Sequence, residues 1–88
     1  MLKITTTADG DDRVRMKIEG SLREPWLAEL IGECRRVAAP QRISFDLSTV
    51  TFVDQPGVRF LRDWLARGAT IDGSSGFVAE ILRQETRP

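Results

Sequence analysis

Residues 43–58 read ISFDLSTVTFVDQPGV, and the fold turns on how this stretch is divided. Ile43, Phe45 and Leu47 alternate with Ser44 and Asp46, the period-two pattern of a strand with one buried face. Ser48-Thr49 reads as a corner, and Val50 to Val53 as a second, short extended piece. At Asp54 the period changes. Placed at about 100° per residue, Val58, Phe60, Leu61, Trp64 and Leu65 share an arc of roughly 160°, with Arg59, Arg62, Asp63 and Arg67 on the other side. This predicts an amphipathic helix over 58–67, with Gly68 as its C-cap. The junction suits a helix start. Asp54 or Gln55 serves as N-cap, and Pro56 lies in the first turn, where its missing N–H costs nothing.

Working outward, Leu2, Ile4 and Thr6 alternate with Lys3, Thr5 and Thr7, and Val14, Met16 and Ile18 alternate with Arg13, Arg15, Lys17 and Glu19. An Asp-Gly turn signal inside Ala8-Asp9-Gly10-Asp11-Asp12 joins these runs into a hairpin. Residues 24–38 form the next helix, with Pro25 in its first turn. Trp26, Leu27, Leu30, Ile31, Cys34, Val37 and Ala38 lie on its apolar side, and Ala39-Pro40 stops it. Beyond the central segment, residues 69–72 fit a short fourth strand. Gly73-Ser74-Ser75 caps a last helix through Arg83. The expected fold is α/β: one domain over residues 1–88, ordered ββαβαβα, with a mixed four-stranded sheet and helices mainly on one face. Helical crossovers between strands 2, 3 and 4 imply parallel pairing and right-handed connections.

Composition narrows the function. The chain has 88 residues, 41% hydrophobic and 30% charged, and 13 Lys+Arg balance 13 Asp+Glu. Folding should bury roughly 60–65% of the unfolded surface, enough for one modest core. With no net positive charge, nucleic acid is not an expected partner. No apolar run is long enough to span a bilayer, and no basic segment leads into an apolar one, so neither membrane insertion nor a secretory signal is expected. One Cys and no His leave no expected metal site or cofactor, and remove the commonest general base. A cytoplasmic, non-catalytic domain is the resulting expectation.

Asp46-Leu47-Ser48-Thr49-Val50-Thr51-Phe52-Val53-Asp54-x-x-Gly57-Val58 resembles the central signature of STAS domains, the sulfate-transporter and anti-sigma-factor-antagonist family. Gly20-x-Leu22 and Arg67-Gly68-Ala69 are also similar to that family's pattern, so the resemblance runs from about Val14 to Leu82. It implies a small free-standing bacterial interaction module. In the phospho-switched members, a partner kinase modifies a Ser or Thr directly after the motif Asp. Here that position is Gln55, followed by Pro56, and neither carries a hydroxyl. Ser48, Thr49 and Thr51 are the alternative acceptors, and they fit equally well as strand and turn residues.

The resemblance implies two partner classes. One is a serine-kinase-like anti-sigma factor, making the chain an anti-sigma-factor-antagonist-like regulator without the usual acceptor hydroxyl. The other is the ATPase of an ABC-type lipid transporter, with the chain as accessory subunit. The candidate partner-binding residues are Asp54, Gln55, Pro56, Gly57, Arg59, Phe60 and Trp64. Trp64, Phe60, Arg67 and Arg59, if partly exposed, have the aromatic-plus-Arg makeup of an interface hot spot. Phe77, Val78, Ile81 and Leu82 span too wide an arc to be buried on one side. A partner chain, a homodimer or a frayed last helix would each account for that. Cys34 reads as a small core residue, and Asp46 and Asp54 as turn and cap residues rather than an acid/base pair.

Overall fold

The computed structural model describes residues 2–8, 10, 12–37 and 39–85, with side chains through residue 82. Strands β1 (Leu2–Ala8) and β2 (Val14–Leu22) are followed by helix α1 (Leu27–Val37) and strand β3 (Ile43–Val53). Helix α2 (Gln55–Ala66), strand β4 (Thr70–Ser74) and helix α3 (Gly76–Glu85) complete the chain. The sheet order is β1-β2-β3-β4, antiparallel between β1 and β2 and parallel at the other two junctions. The molecule is therefore α/β with a mixed four-stranded sheet, in the order read from the sequence.

Both crossovers step the same way across the sheet. Right-handed connections then put α1 and α2 on one face, and the contacts agree. Met16 of β2 and Phe45 of β3 are register partners. Cys34 of α1 meets Met16 at 3.6 Å between sulfurs. The Phe60 ring of α2 meets Phe45 edge-on with centroids 6.0 Å apart. Leu22, Leu30, Ile43, Leu47 and Leu61 complete the fully buried centre. On the other sheet face, Lys3, Thr5, Thr7 and Lys17 are exposed. There Arg15 bridges Asp46 at 3.1 Å and also pairs with Asp72, tying β2 to β3 and β4.

Several expectations need correction. The Ser48-Thr49 corner does not exist, because β3 runs unbroken for 11 residues. The irregularity lies in its neighbour instead. Register shifts between Lys17 and Glu19 and between Gly20 and Ser21 let β2 follow β3, and Gly20 takes φ 99°, a conformation glycine adopts without a Cβ clash. Helix α1 begins at Leu27 rather than 24, so Pro25 precedes the helix, after a cis Glu24–Pro25 bond. Here the chain is held in turns: Leu27 N–H donates to Arg23 O at 2.9 Å, and Glu24 N–H donates to the Asp54 carboxylate. Helix α2 begins at Gln55, one turn earlier than Val58, because Asp54 caps it. Strand β4 is shifted to Thr70–Ser74, which moves the start of α3 to Gly76, with the Ser75 hydroxyl accepting from Val78 N–H at 3.2 Å. Asp9 and Asp11 of the expected turn, and Ala38 of the first helix's apolar side, lie outside the described residues.

The C-terminus of α2 closes as expected. Gly68 has φ 114°, its N–H donates to Leu65 O, and Ala69 N–H donates to Trp64 O. This paired arrangement satisfies the last carbonyls of the helix.

Candidate functional site

The carboxyl ends of β2, β3 and β4 lead into the N-termini of α1, α2 and α3, so three helix starts gather at one end of the sheet. Open α/β sheets most often present their binding surfaces at this end. Asp54 organises it. One carboxylate oxygen accepts from Gly57 N–H at 2.9 Å and caps α2, while the other accepts from Glu24 N–H at 3.0 Å. The same side chain thus starts one helix and pins the approach to another. Asp54 N–H donates to Leu22 O at 3.2 Å, which closes the link from β2.

Gly57 follows from that closeness. A Cβ at this position would lie 2.6 Å from Leu22 O and 2.9 Å from Val53 Cγ1. Only glycine lets α2 approach the strand ends this tightly. Gln55, the first residue of α2, is exposed beside this junction, and Pro56 is half-buried. The motif position without a hydroxyl is therefore presented to solvent at a helix N-terminus.

Two exposed aromatics join this end: Phe52, which sequence reasoning did not select, and Phe77, from the last helix's wide apolar arc. Phe52, near the end of β3, is 42% exposed, and the Arg23 guanidinium lies 5.5 Å from its ring centre. Phe77 in the first turn of α3 is 43% exposed. Among the described residues they are the exposed large hydrophobics. The rest of that helix's wide apolar arc is absorbed: Val78 is buried, and Ile81 and Leu82 pack partly against the core. The signal for Phe52 was its place beside Val53: adjacent apolar residues in a strand point to opposite faces, and Val53 is the one buried.

The other selected residues lie along α2. Arg59 is exposed, but Phe60 and Trp64 are 6% and 5% exposed. The partial exposure expected of these two aromatics is absent: the Phe60 ring turns onto Phe45 of the sheet, and the Phe60 and Trp64 rings lie with centroids 5.8 Å apart. They form the floor of a groove instead. Its α2 wall carries Pro56, Arg59, Asp63 and Arg67, and its α1 wall carries Leu27, Ile31 and Arg35, around a volume of about 260 Å³. Arg67 pairs with Asp63 at 3.0 Å and lies 5.5 Å from the Trp64 ring centre.

The alternative acceptor hydroxyls each have a partner inside the chain. Ser48 donates to Asp46 at 2.6 Å, Thr49 to Ile18 O at 3.3 Å and Thr51 to Gly20 O at 3.2 Å. Hydrogen bonds from the Ser48 hydroxyl and N–H, and then from Arg15, hold the Asp46 carboxyl down at about 2. Burial, with Glu33 nearby, pushes the Cys34 thiol up to about 12. No group of three potential metal ligands occurs among the described residues, and no helix there is long and apolar enough to cross a membrane. No family model matches the chain, and no curated protein matches it closely enough to count as a relative.

Proposed function

We propose that the chain is a non-catalytic protein-interaction module of STAS type, acting in the bacterial cytoplasm as an anti-sigma-factor-antagonist-like regulator. Its partner would be a serine-kinase-like protein. The observation that carries this reading is the composition of the sheet's carboxyl end. An exposed residue at the motif's acceptor position, Gln55, shares the carboxyl end of the sheet with two exposed aromatics, Phe52 and Phe77, and its junction is tied down by Asp54. Exposed aromatics on a rigid junction suit a docking face, because little ordering entropy is lost when a partner covers them. Gln55 resembles a constitutively unphosphorylated state, since no phosphate ester can form on its amide. The partner complex would then be governed by concentration rather than by modification.

One observation favours a second reading. A module that needs no switch suits a static assembly, such as an accessory subunit docked on the ATPase of an ABC-type lipid transporter. Mild affinity purification of the tagged chain from its own cells, with mass spectrometry of what is retained, separates the two. A Phe52→Ser, Gln55→Arg double variant runs in parallel. Enrichment of a serine-kinase-like protein, lost in the variant, supports the regulator, and enrichment of an ABC ATPase supports the subunit. Equal recovery of every protein by both chains would overturn the assignment of this end as the docking face.

A further inference from the structure

We propose that the groove between α1 and α2 docks an acidic amphipathic helix of the partner, an inference that rests on the interaction-module reading and extends its docking face along α2. The first argument is shape. The α2 residues that line the groove are Pro56, Arg59, Phe60, Asp63, Trp64 and Arg67, a complete stripe at three- and four-residue spacing from the first turn to the end of the helix. At the helical rise this stripe is about 16 Å long. Leu27, Ile31 and Arg35 repeat at four-residue spacing along the facing wall. A volume of about 260 Å³ spread over that length is a shallow trough, not a pit for a compact ligand. A trough between two helices running the same way accepts a third helix, with one or two apolar side chains pointing down.

The second argument is charge. Three Arg line the trough against one Asp, and that Asp is already paired with Arg67. Arg35 and Arg59, on opposite walls, are exposed. Carboxylates flanking an apolar stripe would meet them from both sides, and Arg fits carboxylate bidentately. Phe60, Trp64 and Leu27 shape the floor but are nearly covered, so the half-buried Ile31 and Pro56 offer the apolar contact while the charged rim sets orientation and partner choice. A basic helix would face like charges on both walls.

The experiment uses the full chain, isotope-labelled, and a stapled helical peptide of about 15 residues with Leu spaced at i, i+4 and i+7 and Glu on both flanks. A second peptide carries Lys in place of every Glu. Amide and indole resonances report the contact, and Trp64 and Arg59 reside in the trough. The acidic peptide is expected to shift both, to bind at least about tenfold more tightly than the basic one, and to weaken as salt is added. An Arg35→Glu, Arg59→Glu chain with unchanged circular dichroism should lose at least about tenfold in affinity. Equal binding of both peptides, shifts confined to the open sheet face, or shifts at the same residues by inorganic phosphate with none by the peptide would each overturn the proposal. If a captured partner binds the double-Glu chain as it binds the native one, the trough is not its seat while the interaction-module reading stands. If Phe52→Ser, Gln55→Arg leaves capture intact but the double-Glu chain abolishes it, the reverse holds.

Discussion

Gly57→Ala, measured beside Gly32→Ala, tests the packing that builds the candidate site. Both glycines lie within helices, so both substitutions gain the same intrinsic preference, roughly 0.5–1 kcal/mol in favour of Ala. At Gly32 the added methyl meets no atom within 4 Å, so that gain should appear undiminished. At Gly57 the Cβ would lie 2.6 Å from Leu22 O, where van der Waals contact requires about 3.2 Å, and 2.9 Å from Val53 Cγ1, where it requires about 3.5–4.0 Å. The obstacle is backbone on one side and a buried valine on the other, so α2 must move by about half an ångström or more. Overpacking of this kind costs about 1–3 kcal/mol. Displacement also weakens the Asp54 N–H to Leu22 O bond, worth about 1 kcal/mol. The net is a loss of about 2 kcal/mol, or a drop in Tm of roughly 8–16 °C for a domain of this size. Gly32→Ala should instead raise Tm by several degrees. Urea and thermal unfolding followed by far-UV circular dichroism give both values, with an unchanged urea slope as the check that the unfolded state is the same. If Gly57→Ala is as stable as the native chain, the tight approach of α2 to the end of β2 is not what glycine serves there.

Three further outcomes are expected. Asp54→Ala should cost about 2 kcal/mol in urea unfolding, since it removes a helix cap and leaves Glu24 N–H without its acceptor, and Asp54→Asn should cost less. Asp46 titrates at about 2 when folded, below its ordinary 3.8, so its contribution to stability is fully present above 3.8 and is lost as pH falls from there toward 2. Carbon-detected titration of the carboxyl should show this, and Ser48→Ala should raise its pKa and flatten the acid limb. A stability profile in Ser48→Ala identical to the native one would contradict the hydrogen bonding described. The Cys34 thiol, raised to about 12, should resist a thiol reagent in the folded chain and react on unfolding, and its contribution should be lost as pH rises from the ordinary 9.0 toward 12.

Much of the architecture was legible because local chemistry records it. Alternation in residues 2–7 and 14–19 marks which side of each strand is buried, and the Asp54–Pro56 pair and Gly68 mark the ends of α2. The reading failed where a residue's state depends on a distant neighbour. Ser48-Thr49 has turn chemistry, yet it stays extended because β2 supplies the compensating bulge and accepts the Thr49 hydroxyl at Ile18 O. Trp64 lies at the edge of a helical arc, yet it is buried, because the arc alone does not say that the Phe60 ring and the Arg67 guanidinium lie against its ring.

The candidate site divides along the same line. Residues 54–57 stood out in the sequence because a cap, a proline and a glycine in that order mark a helix start, and the missing hydroxyl at Gln55 is visible from residue type alone. Three features were settled only in the folded molecule: the reach of Asp54 to Glu24, the exposure of Phe52 and Phe77, and the trough in which Arg35 faces Arg59. Periodicity specifies which side of a segment avoids water, because that depends on the segment itself. Which two segments then meet, and which apolar side chain is left uncovered, depends on pairings across tens of residues, and these form only when the sheet closes.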